Sequence, residues 1–115
     1  MELVAIISSG KGSWGQVAGV INRGEWENII LIGDAFAKQF NVEKDFEFIE
    51  TKSSGITDLK EEILGKLKGK IKGTEVALSI ASGDGKEHMA LISALLSLPV
   101  GIRFTALTKD GIVFM

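Results

Sequence analysis

Two short stretches carry the same pattern. Ser9-Gly10-Lys11-Gly12 and Ser82-Gly83-Asp84-Gly85 both read Ser-Gly-x-Gly, and each stands between a continuous apolar run and the start of a helical pattern. Glycines there let backbone amides approach a ligand closely, and the helix amino-termini behind them favour an anion. Lys11 and Lys86 add a positive charge to each loop. The chemistry expected is binding of an anionic, nucleotide-like small molecule. Ser9, Gly10, Lys11, Gly12, Ser82, Gly83, Gly85 and Lys86 are its candidate contacts. Strand-to-helix turns also need glycine for geometry alone. Ser13-x-x-Gln16 and Asp84-x-x-Glu87 both have capping-box spacing, which accounts for those four residues without a ligand.

Related chemistries fit less well. Gly10 to Gly15 has the glycine spacing of a GxxxxGK[ST] phosphate loop, but Gln16 and Val17 stand where the Lys and Ser/Thr belong. The groups that reach the terminal phosphates and magnesium are missing, which argues against a P-loop nucleotidase. Gly10, Gly12 and Gly15 also match the dinucleotide pattern G-x-G-x-x-G. The acid it needs after the second strand would be Asp34, itself the natural cap of the next helix. Trp14 either stacks on a nucleobase or anchors its helix in the core, and the core reading is preferred. His88 falls one turn into the last helix, beside the second loop, where it is a candidate general base on a phosphodiester or its 2′-hydroxyl. With Lys11 and Lys86 stabilising charge, the alternative is a phosphodiesterase acting on the same ligand. Asp84 and Arg103 are further titratable candidates. The pairs Glu61-Glu62 and Glu25/Glu27 read as solvated, and so does the run Lys66, Lys68, Lys70, Lys72.

Composition narrows the classes. The chain has 115 residues, 13 Lys+Arg against 15 Asp+Glu, one His, no Cys and 45% hydrophobic residues. That suits one Rossmann-like domain over 1–115. A net charge of −2 argues against a basic binder of long nucleic acid. Without Cys there is no disulfide scaffold, thiolate nucleophile or thiolate zinc site, and one His leaves little for a metal or a Ser-His-Asp triad. Neither a metal nor a cofactor is expected. The longest apolar run, Met89 to Ile102, is broken by Ser93, Ser97, Pro99 and Gly101. It falls short of the ~20 residues of a membrane span. No basic leader precedes the first apolar run, so a cytoplasmic protein with no membrane partner is expected. Abundant Lys and Glu with few Asn and Gln lean toward a heat-adapted source.

The elements that must position these loops follow from the period of the apolar residues. Leu3 to Ile7, Ile29 to Ile32 and Val76 to Ile80 are continuous runs suited to strands buried on both faces. Phe46, Phe48 and Ile49 mark a further strand. Trp14, Val17, Ala18 and Ile21 fall at helical spacing, with Gly24 as a stop. Asp34 is placed to cap a short helix carrying Phe36 and Phe40. Ile56, Leu59, Ile63 and Leu67 make the stripe of an amphipathic helix. Lys86 to Leu98 is a helix ended by Pro99. Ile102 to Leu107 and Ile112 to Met115 form a hairpin around Asp110-Gly111. Strand and helix alternate four times before that hairpin. The fold class expected is α/β: a three-layer, Rossmann-like, mostly parallel sheet of order 3-2-1-4-5 with a C-terminal β-hairpin. In that order the first and fourth strands are neighbours, and the two glycine loops face each other across the switch point.

The last helix is apolar nearly all round, with only Ser93 and Ser97 polar between Met89 and Leu98. Such a helix is normally buried. A homodimer through Lys86–Leu98 would cover it; the alternative is a helix tucked under the hairpin. A dimeric adaptor for a protein partner, with no small ligand, is a third functional class.

The strand opening on Ser8 to Gly12, the loop Gly83-Asp84-Gly85-Lys86 with its Ala/Leu/Ser-rich helix, and the hairpin Arg103 to Met115 resemble the CRISPR-associated Rossmann-fold (CARF) domains. Asp84 departs from the usual Gly-Thr-Lys form of that loop. The resemblance implies a dimer that binds a cyclic oligoadenylate across its twofold axis, near the carboxyl ends of the first and fourth strands. It implies contacts from Ser9, Gly10, Lys11, Gly83, Gly85 and Lys86. Some CARF domains cleave the ring, so a ring nuclease is the enzymatic form of this expectation. Without a fused effector nuclease the relative would be a stand-alone one.

Overall fold

Uninterrupted Leu, Ile, Val and Ala residues cannot leave one face wet, so they fold as strands covered on both sides. The computed structural model describes residues 1–8 and 10–115, with the backbone alone at 11. Strands β1 (Glu2–Ile7) and β2 (Ile29–Gly33) are buried along their whole length. They are joined in one sheet by β3 (Glu47–Glu50), β4 (Glu75–Ser79), β5 (Gly101–Thr108) and β6 (Gly111–Phe114), in the order β3-β2-β1-β4-β5-β6. All neighbours are parallel except β5 and β6, which form the antiparallel hairpin. Ala5 sits centrally, between Leu31 of β2 and Ser79 of β4.

Alternation along the strands divides the core. Val4, Ile6, Ile30, Ile32, Val76 and Leu78 pack under α2 (Ile56–Leu67) and α3 (Gly85–Leu96). Leu3, Ala5, Ile7, Leu31 and Ala77 pack under α1 (Trp14–Arg23). The chain leaves β1 toward β2 and leaves β4 toward β5, in opposite directions along the sheet. Right-handed crossovers then put α1 and α3 on opposite faces, as found.

Several local expectations change. Ser13 makes no side-chain capping bond. A 3-10 turn over Lys11–Ser13 runs straight into α1, so the backbone is already helical where the cap was expected. The helix expected after β2 is a single 3-10 turn, Phe36–Gln39. Asp34 does serve it: Oδ1 accepts from the Ala37 amide at 3.0 Å. The hairpin does not cover the outer face of α3, where Met89 and Leu96 stay exposed, although its Ile102 and Phe104 pack on the α2 and α3 side. Its Leu107 and Ile112 pack on the α1 side. Gly19 allows this approach, since a Cβ there would lie 2.4 Å from Leu107 Cδ2. Trp14 packs at the edge of the same core against Phe36 and Phe40, with ring centroids 5.9 and 5.8 Å away. Its Nε1 donates to the Ser8 carbonyl at 2.9 Å, in keeping with a core anchor.

At the amino edge of the sheet, Glu2 is 4% exposed. Its carboxylate accepts from the Lys72 and Gly73 amides at 2.8 and 2.7 Å and from Asn28 Nδ2 at 3.1 Å. It thereby ties the turns before β2 and β4 to the start of β1. Among the described residues no helix is long and apolar enough to cross a membrane.

Candidate functional site

The parallel pairing of β1 with β4 brings the two glycine loops together at the carboxyl edge of the sheet. Their junction is a pair of serines. The Ser8 amide donates to Ser82 Oγ at 2.8 Å, and the two hydroxyls are 3.1 Å apart. Ser82 is buried, so its hydroxyl joins the loops. Gly10, Gly12 and Gly85 are exposed, and a Cβ at Gly12 or Gly85 would meet nothing within 4 Å. Gly12 and Gly85 thus border open space, whereas the Gly10 amide donates to Ser8 Oγ at 3.3 Å and the Gly10 carbonyl accepts from it at 3.2 Å. Ser9 lies outside the described residues, as does the side chain of Lys11.

The second loop is braced from within. Gly83 has φ +101, and a Cβ on it would stand 3.0 Å from His88 Nε2 and 3.2 Å from Ile6 Cγ2. His88 Nε2 lies 2.7 Å from the Ser82 carbonyl. A carbonyl only accepts, so Nε2 carries the proton and His88 braces the loop through this bond. Asp84 and Glu87 form the capping box expected of them. Asp84 Oδ1 accepts from the Glu87 amide at 2.8 Å, and Glu87 Oε1 accepts from the Asp84 amide at 2.9 Å. Arg103 stands apart from the loops, on β5, with its guanidinium 5.7 Å from the centre of the Phe114 ring.

Lys86 is exposed, and its ammonium donates to the Ser54 carbonyl at 2.5 Å. The stretch 51–55 is thereby drawn into the site. The Thr51 amide donates to the Gly33 carbonyl at 2.8 Å. Glu62 Oε1 accepts from the Lys52 and Ser53 amides, both at 3.0 Å, and Glu62 Oε2 accepts from Lys66 Nζ at 2.8 Å. Burial pushes the Glu62 carboxyl up, but the Lys66 ammonium and these amides outweigh it and hold its pKa at about 2. Between Asp34, residues 51–54 and the start of α3 lies a cleft of about 270 Å³. Residues 51–55 do not carry the Ser-Gly-x-Gly pattern of the other two loops. The available signal was topological: every loop after a strand of a parallel sheet ends at the same edge.

Among the described residues the candidate contacts therefore gather along one edge, with Lys86 spanning from α3 to the loop after β3. Among the described residues no three His, Cys, Asp or Glu side chains are grouped to hold a metal. No family model matches the chain. No curated protein matches its sequence.

Proposed function

We propose that the chain is a ligand-binding domain for an anionic, nucleotide-like small molecule held at the two Ser-Gly-x-Gly loops. The observation that carries this reading is the junction of the loops, with the Ser8 amide on Ser82 Oγ at 2.8 Å at the carboxyl edge of neighbouring strands. Glycines at Gly12 and Gly85 border open space at the starts of α1 and α3, and although the Asp84–Glu87 box takes two amides of α3, the amides a helix start leaves unsatisfied attract anions. The Lys86 ammonium, which donates to the Ser54 carbonyl, is the charged group this reading assigns to the phosphate. The likeness to CARF domains makes a cyclic oligoadenylate the first ligand to try.

The same reading includes a homodimer through α3. Met89 and Leu96 on that helix are 60% and 70% exposed. With Ile56 of α2 they border a groove of about 410 Å³. A twofold contact there would remove this apolar surface from water.

The test is native mass spectrometry of the protein purified from its own host, repeated with a nucleotide panel that includes cyclic oligoadenylates. A dimer mass carrying ligand supports the reading. Disappearance of that ligand with time would turn the binder into a phosphodiesterase. A monomer that retains nothing overturns both. Replacing Lys11 and Lys86 by Ala is expected to weaken binding by about 1.5–3 kcal/mol for each charged hydrogen bond removed.

A further inference from the structure

We infer that the free edge of β6 recognises a second copy of this chain. The two β6 strands pair antiparallel about a twofold axis at Val113, so that two six-stranded sheets become one. The surface is separate from the glycine loops and from α3, and it stands or falls without them. Which backbone groups β6 leaves over follows from its pairing with β5. The Met115 amide donates to the Phe104 carbonyl at 2.8 Å. The Val113 carbonyl accepts from Thr105 Oγ1 and the Gly111 carbonyl from Thr108 Oγ1, both at 3.0 Å. Residues 111, 113 and 115 thus turn polar backbone groups toward β5. Those groups alternate in direction along an antiparallel strand. The amides and carbonyls of Ile112 and Phe114 are therefore directed outward, away from the sheet. A strand presents amides and carbonyls at the matching spacing. Ile112 and Phe114 lie symmetrically about Val113, so a second β6 running the other way sets each Ile112 against the Phe114 of the other copy. Both of these pairs then exchange two backbone hydrogen bonds.

The side chains select a second copy. β6 carries neither charge nor proline, the features that ordinarily protect an edge. At the other edge of the sheet, Glu47 and Glu50 of β3 are paired with Lys70 and Lys38. A head-to-tail contact of β6 with β3 would set those charges beside Ile112 and Phe114. In the twofold register apolar meets apolar. Phe114 is 42% exposed and rests edge-on against Trp26, with ring centroids 6.1 Å apart. Ile112 of the second copy adjoins it on that face, and the two Val113 side chains meet on the other. The same register brings Asp110 of the second copy into the row of Arg103, two strand spacings or about 9.5 Å away. These charges are opposite, and the exposed Arg103 guanidinium, 5.7 Å from the centre of the Phe114 ring, already reaches toward that edge. A four-residue strand is small beside the about 20–30 residues a side of a standard interface. The contact therefore belongs to millimolar rather than micromolar concentrations.

The experiment is disulfide trapping of the full chain, which has no cysteine of its own, in a Leu96→Glu background that removes the α3 surface. Val113→Cys meets itself in a non-hydrogen-bonded pair, where Cα atoms approach to about 4.5 Å, inside the about 4.4–6.8 Å that a disulfide spans. Met115→Cys, at a position 72% exposed, lies about 13 Å from its counterpart in this register. At millimolar protein in a glutathione buffer, Val113→Cys is expected to give at least about tenfold more crosslinked dimer than Met115→Cys. Asp110→Arg is expected to lower that yield, and Arg103→Asp together with Asp110→Arg to restore it. Equal crosslinking at the two positions, or none at either while circular dichroism shows both chains folded, would overturn the edge pairing and leave the α3 dimer untouched. A second readout needs no cysteine. Diluting the Leu96→Glu chain from millimolar to micromolar is expected to shift the 15N–1H resonances of Ile112 and Phe114 more than that of Val113. Resonances of 110–115 that do not move on dilution would equally overturn the pairing.

Discussion

Single carboxylates and one glycine hold the loops around the candidate site. Glu62 falls from an ordinary carboxyl value of 4.5 to about 2 in the folded chain. A depressed folded pKa contributes stability that is fully present above the unfolded value and is lost as pH falls through the folded one. The unfolding free energy is therefore expected to drop between pH 4.5 and 2, and Glu62→Gln to flatten part of that drop in urea titrations at stepped pH. Glu2 behaves alike at the opposite edge. Burial raises its pKa, but the Gly73 and Lys72 amides and Asn28 lower it further than burial raises it. Glu2→Gln is expected to cost about 1–3 kcal/mol at pH 7, read from urea midpoints. At Gly83 a side chain meets both a positive φ and His88. Gly83→Ala should cost about 1–3 kcal/mol and shift the His88 ring resonances.

At the scale of elements, the two helices that open on the site start differently. Asp84 caps α3 through a reciprocal pair of bonds with Glu87, whereas Ser13 at α1 makes none. Asp84→Ala should therefore cost about 0.5–2 kcal/mol of stability. Ser13→Ala should stay within about 0.5 kcal/mol, since it removes no capping bond. Equal losses in thermal or urea unfolding would contradict the geometry at Ser13. The loop after β3 is similarly specified by α2, because Glu62 and Lys66 one helical turn apart reach the Lys52 and Ser53 amides and the Glu50 carbonyl.

For the whole molecule, the sheet has two edges and α3 has an outer face. The β3 edge carries the ion pairs Lys38–Glu50 and Lys70–Glu47, the kind of charge that discourages strand addition. Leu96 is 70% exposed and belongs to the surface proposed for the dimer. Leu96→Glu is expected to convert a dimer to a monomer by light scattering, with the unfolding free energy per chain at low concentration unchanged within about 0.5 kcal/mol. A wild-type monomer at micromolar concentration would end the dimer proposal. How much was legible beforehand differs between fold and site. Continuous apolar runs and helical stripes are local patterns, and right-handed crossovers leave few ways to order the strands they specify. The sheet order, the C-terminal hairpin and the meeting of the glycine loops were readable from the residues for that reason. The Asp84–Glu87 cap was too, because it spans one turn. The bond between Ser8 and Ser82 joins residues 74 apart, and the bond from Lys86 to Ser54 joins residues 32 apart. No local period encodes such pairs. Whether Lys86 lies free beside its glycine loop or bridges to residues 51–54, and whether the hairpin reaches the outer face of α3, depended on which faces packed together, and only the tertiary structure decided that.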